Sequence, residues 1–273
     1  MKIDLVVPYV DMDDENWKAL AKENKIFIDI NRFRGQGEFF RYFFRGIEKN
    51  LPWINNIFLL VQSESQIPYW LNQSKVKVIL HKQFIPKEFL PAFSSCTIEM
   101  FLHKIPGLSE HFLYFNDDMY VLHSLSPESF FKDNFVRQTF ITGNETNMCG
   151  DINRNGFKLI YNDEFKFKPD HGVRALLLSK CKECYNKYKE EIASSITKTR
   201  CRKNMNVYIY SYYLKKNNLC INSDVKLELT FLYPLFKGDI ICINDNYRMN
   251  IYSDKYLNRK FENFFINKSK YEL

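Results

Sequence analysis

Residues 3–15 read IDLVVPYVDMDDE, an apolar run from Ile3 to Val10 that ends in four carboxylates, Asp11, Asp13, Asp14 and Glu15. Its Val and Ile content predicts a strand. Carboxylates at the carboxyl end of a buried first strand lie where open α/β sheets place ligands. The basic stretch NRFRGQGEFFRYFFRGIEKN (31–50) follows. After Gly37 its Phe40, Phe43, Phe44 and Ile47 fall at helical spacing, with Arg34, Arg41 and Arg45 decorating the segment.

Further strands are expected over Asn56–Val61 and Val76–His81. SSCTIEMFLHKIPG (94–107) reads as a short helix that Ser94 or Ser95 can cap and Pro106-Gly107 stops, placing Glu99 and His103 on one face. A lone histidine such as His103 is more often structural than functional. HFLYFNDDMY (111–120) is an apolar strand delivering Asn116, Asp117 and Asp118 at its end. Adjacent carboxylates there can hold a divalent cation against a diphosphate, although NDD alone is also a good turn.

The polar stretch 143–162 predicts short, hairpin-like strands at best. Helices are expected over Val173–Ile192 and Asn204–Lys216, the second with a tyrosine stripe suited to core packing. A last strand begins after Gly238-Asp239 and runs from Ile240 to Ile243, followed by Asn244, Asp245 and Asn246. The C-terminal stretch is aromatic and mixed in charge, suiting a packed helix or a surface foot. Strands alternate with helices in the first half and the second half is more helical, so the fold class is α/β.

The chain has 273 residues, 45% of them hydrophobic and 16% aromatic, which excludes disorder and low complexity. No apolar run reaches the roughly 18 residues of a spanning helix, and MKIDLVVPYV lacks a signal peptide's regions, so a cytosolic protein is expected. The seven scattered cysteines suit free thiols. CKEC (181–184) has metal-like spacing, but the simpler reading is two small residues on one side of a helix. Net charge is +7, and residues 166–203 hold 11 basic and 4 acidic residues, an excess of 11 − 4 = 7 equal to that of the whole chain. Such a concentration attracts phosphates or anionic surfaces, or is simply a solvated helix face.

Several of these segments together resemble the Stealth proteins, which include capsular polysaccharide phosphotransferases and the catalytic subunit of lysosomal-enzyme GlcNAc-1-phosphotransferase. IDLVVPYVDMDDENW looks like their first conserved region, V-D-x-x-D-x-x-W. The longest match runs from RFRGQGEFFRYFFRGIEKNLPWINNIFLL through IPYWLN to LPAFSSCTIEMFLHKIPGLSEHFLYFNDDMY. His171 falls where the family places a histidine, without the following proline. In TRCRKNMNVYIYSYYL the matching arginine is Arg200, and the acidic residues usual shortly after it are here Lys203 and Asn204. ICINDNY keeps the N-D-N signature.

The resemblance implies a GT-A-like (Rossmann-like) central sheet flanked by helices, with a more helical C-terminal half. The single catalytic domain, 1–273, would comprise a nucleotide-sugar-binding α/β core (1–142), a polar insertion plus helical part (143–238), and a final core strand and tail (239–273). It also implies transfer of a hexose- or N-acetylhexosamine-1-phosphate from a UDP-sugar to a glycan or lipid-linked glycan hydroxyl, releasing UMP. Glu99, Asp118, His171 and Arg200 match positions that look catalytic in the family. Arg200 suits the phosphoryl oxygens and Asp118 the role of base or metal ligand, with His171 the alternative base. Asp117, Asp118 and Asp245 could hold Mg2+ or Mn2+. Asp11, Arg34, Arg41 and Asn116 are assigned to the nucleotide sugar. No nucleic-acid partner is expected, whereas peripheral attachment to the inner membrane face is compatible with a lipid-linked acceptor. The alternatives are a metal-dependent GT-A glycosyltransferase, which would release UDP, and a phosphate- or glycan-binding scaffold.

Overall fold

The computed structural model describes residues 1–27, 38–230, 234–243 and 251–273. In chain order these form β1 (Ile3–Pro8), α1 (Glu15–Glu23), α2 (Phe39–Asn50), β2 (Ile57–Val61), β3 (Lys77–Leu80), α3 (Ser95–Met100), β4 (His111–Tyr114) and β5 (Met119–Val121). The short strands β6 (Phe131–Lys132), β7 (Phe135–Arg137) and β8 (Phe140–Thr142) precede α4 (Met148–Tyr161), β9 (Phe167–Pro169) and β10 (Arg174–Leu177). Then come α5 (Leu178–Lys187), α6 (Lys189–Ser195), α7 (Tyr208–Lys216), β11 (Cys220–Ile221), β12 (Leu227–Thr230), β13 (Ile240–Ile243) and α8 (Ile251–Phe264).

The main sheet has the order β10-β4-β1-β2-β3, with β1 to β4 parallel and β10 antiparallel to β4. The chain winds from β1 to β2 and β3 on one side, then returns to the other side of β1 as β4. A topological switch point therefore opens between the carboxyl ends of β1 and β4. β2 is buried throughout and β1 nearly so, which explains their unbroken apolar runs. Asp4, fully buried inside β1, accepts hydrogen bonds from Asn55, Asn56 and the Ser109 N–H, so the PWINN turn is fastened to the amino end of the sheet.

α2 buries the four apolar residues that its spacing indicates. Phe40 stacks on Tyr9 with ring centroids 4.5 Å apart, and Tyr42 stacks on Phe261 of α8 at 5.1 Å. The chain's C-terminal stretch is thus a packed helix on α2, locked further by Arg45, whose Nε and Nη2 both reach the Glu272 carboxylate at 2.8 Å.

Three local expectations are corrected. Residues 143–162 contain the helix α4 rather than hairpin strands: Asn147 caps it by accepting from the Gly150 N–H, and Ile152, Phe157 and Ile160 are buried. Gly150 is required there, because a Cβ would lie 2.2 Å from the Glu145 carbonyl oxygen. The expected helix from Val173 begins as strand β10, since the exposed edge of β4 pairs with it in the register Arg174↔Tyr114. Finally, α3 ends at Met100 and becomes a 3-10 turn, so Glu99 and His103 diverge; His103 lies against Tyr185 at 4.3 Å. The tyrosines of α7 are core residues, and Cys181 and Cys184 are buried thiols whose pKa burial raises. Among the described residues no helix is long and apolar enough to cross a membrane.

Candidate active site

The site lies at the switch point. Leaving β1, the acidic loop is built around the buried Gln66, which accepts from the Asp11 N–H at 2.6 Å and donates to Asp14 at 2.6 Å. Asp14 caps α1 through the Asn16 N–H, and although burial opposes it, its bonds from Gln66 and Ser65 hold its pKa below the usual carboxylate value. Asp14 is therefore structural. Asp11 and Asp117 both act on Tyr9, whose pKa is raised by burial and by these neighbouring carboxylates. The ends of β1 and β4 thus present their charges to the same aromatic ring.

Asn116, Asp117 and Asp118 occupy the turn between β4 and β5 rather than the end of one long strand. The Ile243 N–H of β13 donates to the Asp118 carbonyl at 2.9 Å. The Asp118 carboxylate also bonds the Cys242 thiol; burial first, then Asp118 and Asp117, push that thiol's pKa well up. Among the described residues no three His, Cys, Asp or Glu side chains converge as metal ligands. Arg34 and Asp245 lie outside the described residues.

Glu99 is buried on α3. Its Oε1 accepts from Tyr114 at 3.0 Å and its Oε2 from the Val207 N–H at 2.7 Å. Burial raises its pKa, opposed by Val207, Arg200 and Tyr114. Arg200 approaches from the 196–207 loop and donates to Ser95 Oγ, one turn before Glu99. Burial works against its charge, yet Cys96 and Glu99 keep its pKa above the ordinary value. His171 lies within electrostatic reach of Arg200; burial, then Arg174 and Lys168, bring its pKa down to about 4, so the imidazole is neutral near pH 7. Glu99, Arg200 and His171, far apart in the chain, therefore share one neighbourhood, and Tyr114 connects it to Asp117.

Other expected residues are placed differently. The Arg41 guanidinium meets Glu38 at 2.9 Å and Tyr69 at 3.1 Å and lies over the Trp70 ring, joining α2 to that region and to Glu272. Arg202 pairs with Asp151 of α4. The basic 166–203 stretch divides: Lys168, paired with Glu145, Arg174 and Arg200 lie within electrostatic reach of His171, whereas Lys182, Lys187 and Lys189 are exposed on α5 and α6.

Tyr9, Tyr114 and Arg174 carry no sequence signal of a site role, whereas Ser95, Asn204 and Tyr208 show in the sequence only as a possible helix cap, a departure from the family pattern and part of a packing stripe. They reach the site through contacts between distant segments, which spacing does not reveal.

Residues 32–139 match the family model described as Stealth protein CR2, conserved region 2. The chain is 33% identical over 219 residues to a capsular polysaccharide phosphotransferase of Haemophilus influenzae, covering 71% of this chain and 59% of that protein. The chain belongs to the Stealth family. It is also 43% identical over 136 residues to an exopolysaccharide phosphotransferase of Lactiplantibacillus plantarum, 48% of this chain and 40% of that one. To a receptor polysaccharide phosphotransferase of Streptococcus oralis it is 33% identical over 204 residues, with 65% and 60% covered. This Stealth chain spans about half the length of the curated relatives it matches. The matched region carries Glu99, Asp117 and Asp118, whereas His171 and Arg200 lie beyond it.

Proposed function

We propose that this chain carries the centre of a sugar-1-phosphate transferase in capsule or other surface-polysaccharide synthesis, with a UDP-hexose or UDP-N-acetylhexosamine as donor. An acceptor sugar hydroxyl attacks the sugar-bearing β-phosphorus. The bond from that phosphorus to the bridging oxygen breaks, UMP leaves with the oxygen, and a phosphodiester forms. The observation that carries this reading is the convergence of Arg200, the buried Glu99 and the neutral His171 beside the switch point between β1 and β4. That topology also favours a GT-A-like binding mode, with the nucleotide near Asp11 and Asn116.

Arg200 offers a planar fork to the phosphoryl oxygens, with Glu99 and Ser95 holding it in place. His171 receives the acceptor proton; a diphosphate beside it favours the imidazolium and so makes it a better base. Asp118 is the alternative base. The hard carboxylate oxygens of Asp117 and Asp118 suit Mg2+ or Mn2+, which are commonly held by one or two carboxylates plus substrate phosphates. Such a cation would neutralise charge on the phosphoryl group and the leaving UMP. Asp245, two positions after Ile243, is a third oxygen donor in sequence.

The acceptor is a glycan, free or lipid-linked. The enzyme would then work in the cytoplasm, with exposed Lys182, Lys187 and Lys189 facing an anionic surface when the acceptor is membrane-bound. Incubation with a panel of UDP-sugars, Mg2+ or Mn2+ and candidate acceptors should release UMP. Release of UDP would instead establish glycosyl transfer.

A further inference from the structure

Arg174 is among the largest fully buried side chains of the described residues, at 1% exposure. Burying a guanidinium is costly unless its donors are satisfied, and here most of them are satisfied by one short loop. Nε donates to the Gly172 carbonyl at 2.9 Å, and Nη2 to the Asp170 carbonyl at 2.9 Å and to Asp170 Oδ1 at 2.5 Å. Nη1 donates to Gln138 Oε1 at 3.3 Å, and Gln138 is itself fixed by donating to the Ala175 carbonyl at 2.6 Å. The Tyr208 ring lies 5.5 Å from the guanidinium, and its hydroxyl donates to the Asp170 carbonyl at 3.1 Å.

The residue in the middle of that loop is His171. The loop closes so tightly on the guanidinium that a Cβ at Gly172 would lie 3.2 Å from Asp170 Oδ1 and 3.3 Å from Arg174 Nη2. Arg174 is also in register with Tyr114, whose hydroxyl bonds Glu99, so the loop is anchored to the strand pair that carries the opposite side of the site. We propose that Arg174 is a positioning residue for His171, its buried guanidinium clamping residues 170–172 so that the imidazole is held in place within electrostatic reach of Arg200.

The clamp fixes the loop on which His171 stands half-buried. The charged groups within electrostatic reach of the imidazole are Lys168 of β9, itself paired with Glu145, Asp170, Arg174 of β10 and Arg200, with the Tyr208 hydroxyl on the Asp170 carbonyl. Burial exceeds them all in its effect, and the clamp maintains that burial.

The role rests on the proposed use of His171, but its decisive measurement needs no substrate. The protein holds five histidines, so 15N-histidine NMR with His171→Gln for assignment follows the His171 midpoint directly. Arg174→Lys keeps the positive charge and loses the fork. It should raise that midpoint by about one unit or more toward the free value of ~6.5 as water enters. With donor present it should lower kcat by about 10-fold or more while KM for the donor stays within about 3-fold. If Arg174→Lys does not fold, Tyr208→Phe, which removes only one bond to the Asp170 carbonyl and keeps the ring, should raise the midpoint in the same direction. A lowered melting temperature with the His171 midpoint unmoved in the folded variant overturns the proposal. A parent that transfers no phosphoryl group would defeat the functional reading and leave this measurement intact.

Discussion

Tyr114, the last residue of β4, donates its phenolic hydrogen to Glu99 Oε1 at 3.0 Å and so ties the central sheet to the helix that faces Arg200. Because the other oxygen of Glu99 accepts from the Val207 N–H, the carboxylate also pins the start of α7. One buried acid thus joins three segments around the arginine, and both its oxygens accept, as an ionised carboxylate does.

Glu99→Gln tests whether the charge, rather than the shape, matters. The amide retains one accepting oxygen and the volume but loses the negative partner of Arg200. Turnover should fall by about 100-fold while the melting temperature stays within a few degrees, since a buried charge is also removed. Near-parental turnover would show that Arg200 needs no buried counter-charge.

Chelation addresses the carboxylates of the β4–β5 turn. Activity should vanish in EDTA and return with Mg2+ or Mn2+, because hard oxygen donors and a diphosphate favour these ions. Asp117→Asn should raise the Mg2+ concentration giving half-maximal rate by about 10-fold. Full activity in chelator would remove the metal role and leave charge neutralisation to Arg200 and its basic neighbours.

A separate prediction concerns stability. Arg45 and the buried Glu272 form a two-pronged pair, and despite burial the Arg45 bonds lower the pKa of Glu272. Arg45→Met leaves the carboxylate buried without this partner and should cost about 3 kcal/mol, read by denaturant melts. Since the folded pKa is the lower one, the stability that the pair contributes is present above the unfolded value of about 4.3 and is lost as pH falls through the folded value. The loss on acidification should be smaller in Glu272→Gln; an unchanged pH dependence would contradict the assignment.

The parts of the fold legible in the sequence were those whose stabilisation is local or periodic. β1 and β2 show as apolar runs, and α2 shows as four aromatic or aliphatic residues at helical spacing. α4 was hidden because Gly150, Asn153 and Gly156 on its buried face are neither apolar nor strong helix formers; its packing against α7 stabilises it instead. β10 was hidden because RALL carries no period, and its strand state depends on the edge of β4. The site followed the same division. Glu99, His171 and Arg200 were indicated by family resemblance, whereas Arg174, Tyr208 and Asn204 act through hydrogen bonds whose partners no spacing rule identifies.

Asn204, in the same loop as Arg200, supplies the last test. It is buried, and its Nδ2 donates to the Ser195 carbonyl at 2.6 Å and to Thr197 Oγ1 at 2.7 Å, while Oδ1 accepts from the Cys201 N–H at 2.7 Å. These bonds close the loop that carries Arg200, and Asn155 of α4 fastens the same loop by donating to the Arg202 and Asn204 carbonyls. The amide is therefore used as a donor here, a role that an ionised carboxylate cannot fill. Asn204→Asp keeps the shape but sets a charged acceptor against the Ser195 carbonyl, which should cost about 1–3 kcal/mol of stability. By loosening Arg200 it should also lower turnover by about 10-fold or more. Protonation of the new carboxyl restores one donor, so the ratio of variant to parental turnover should rise as pH falls from 8 toward about 5. Asn204→Ala lacks that group and should show no such recovery. Equal turnover in Asn204→Asp and the parent across this range would mean that the loop holds Arg200 without Asn204.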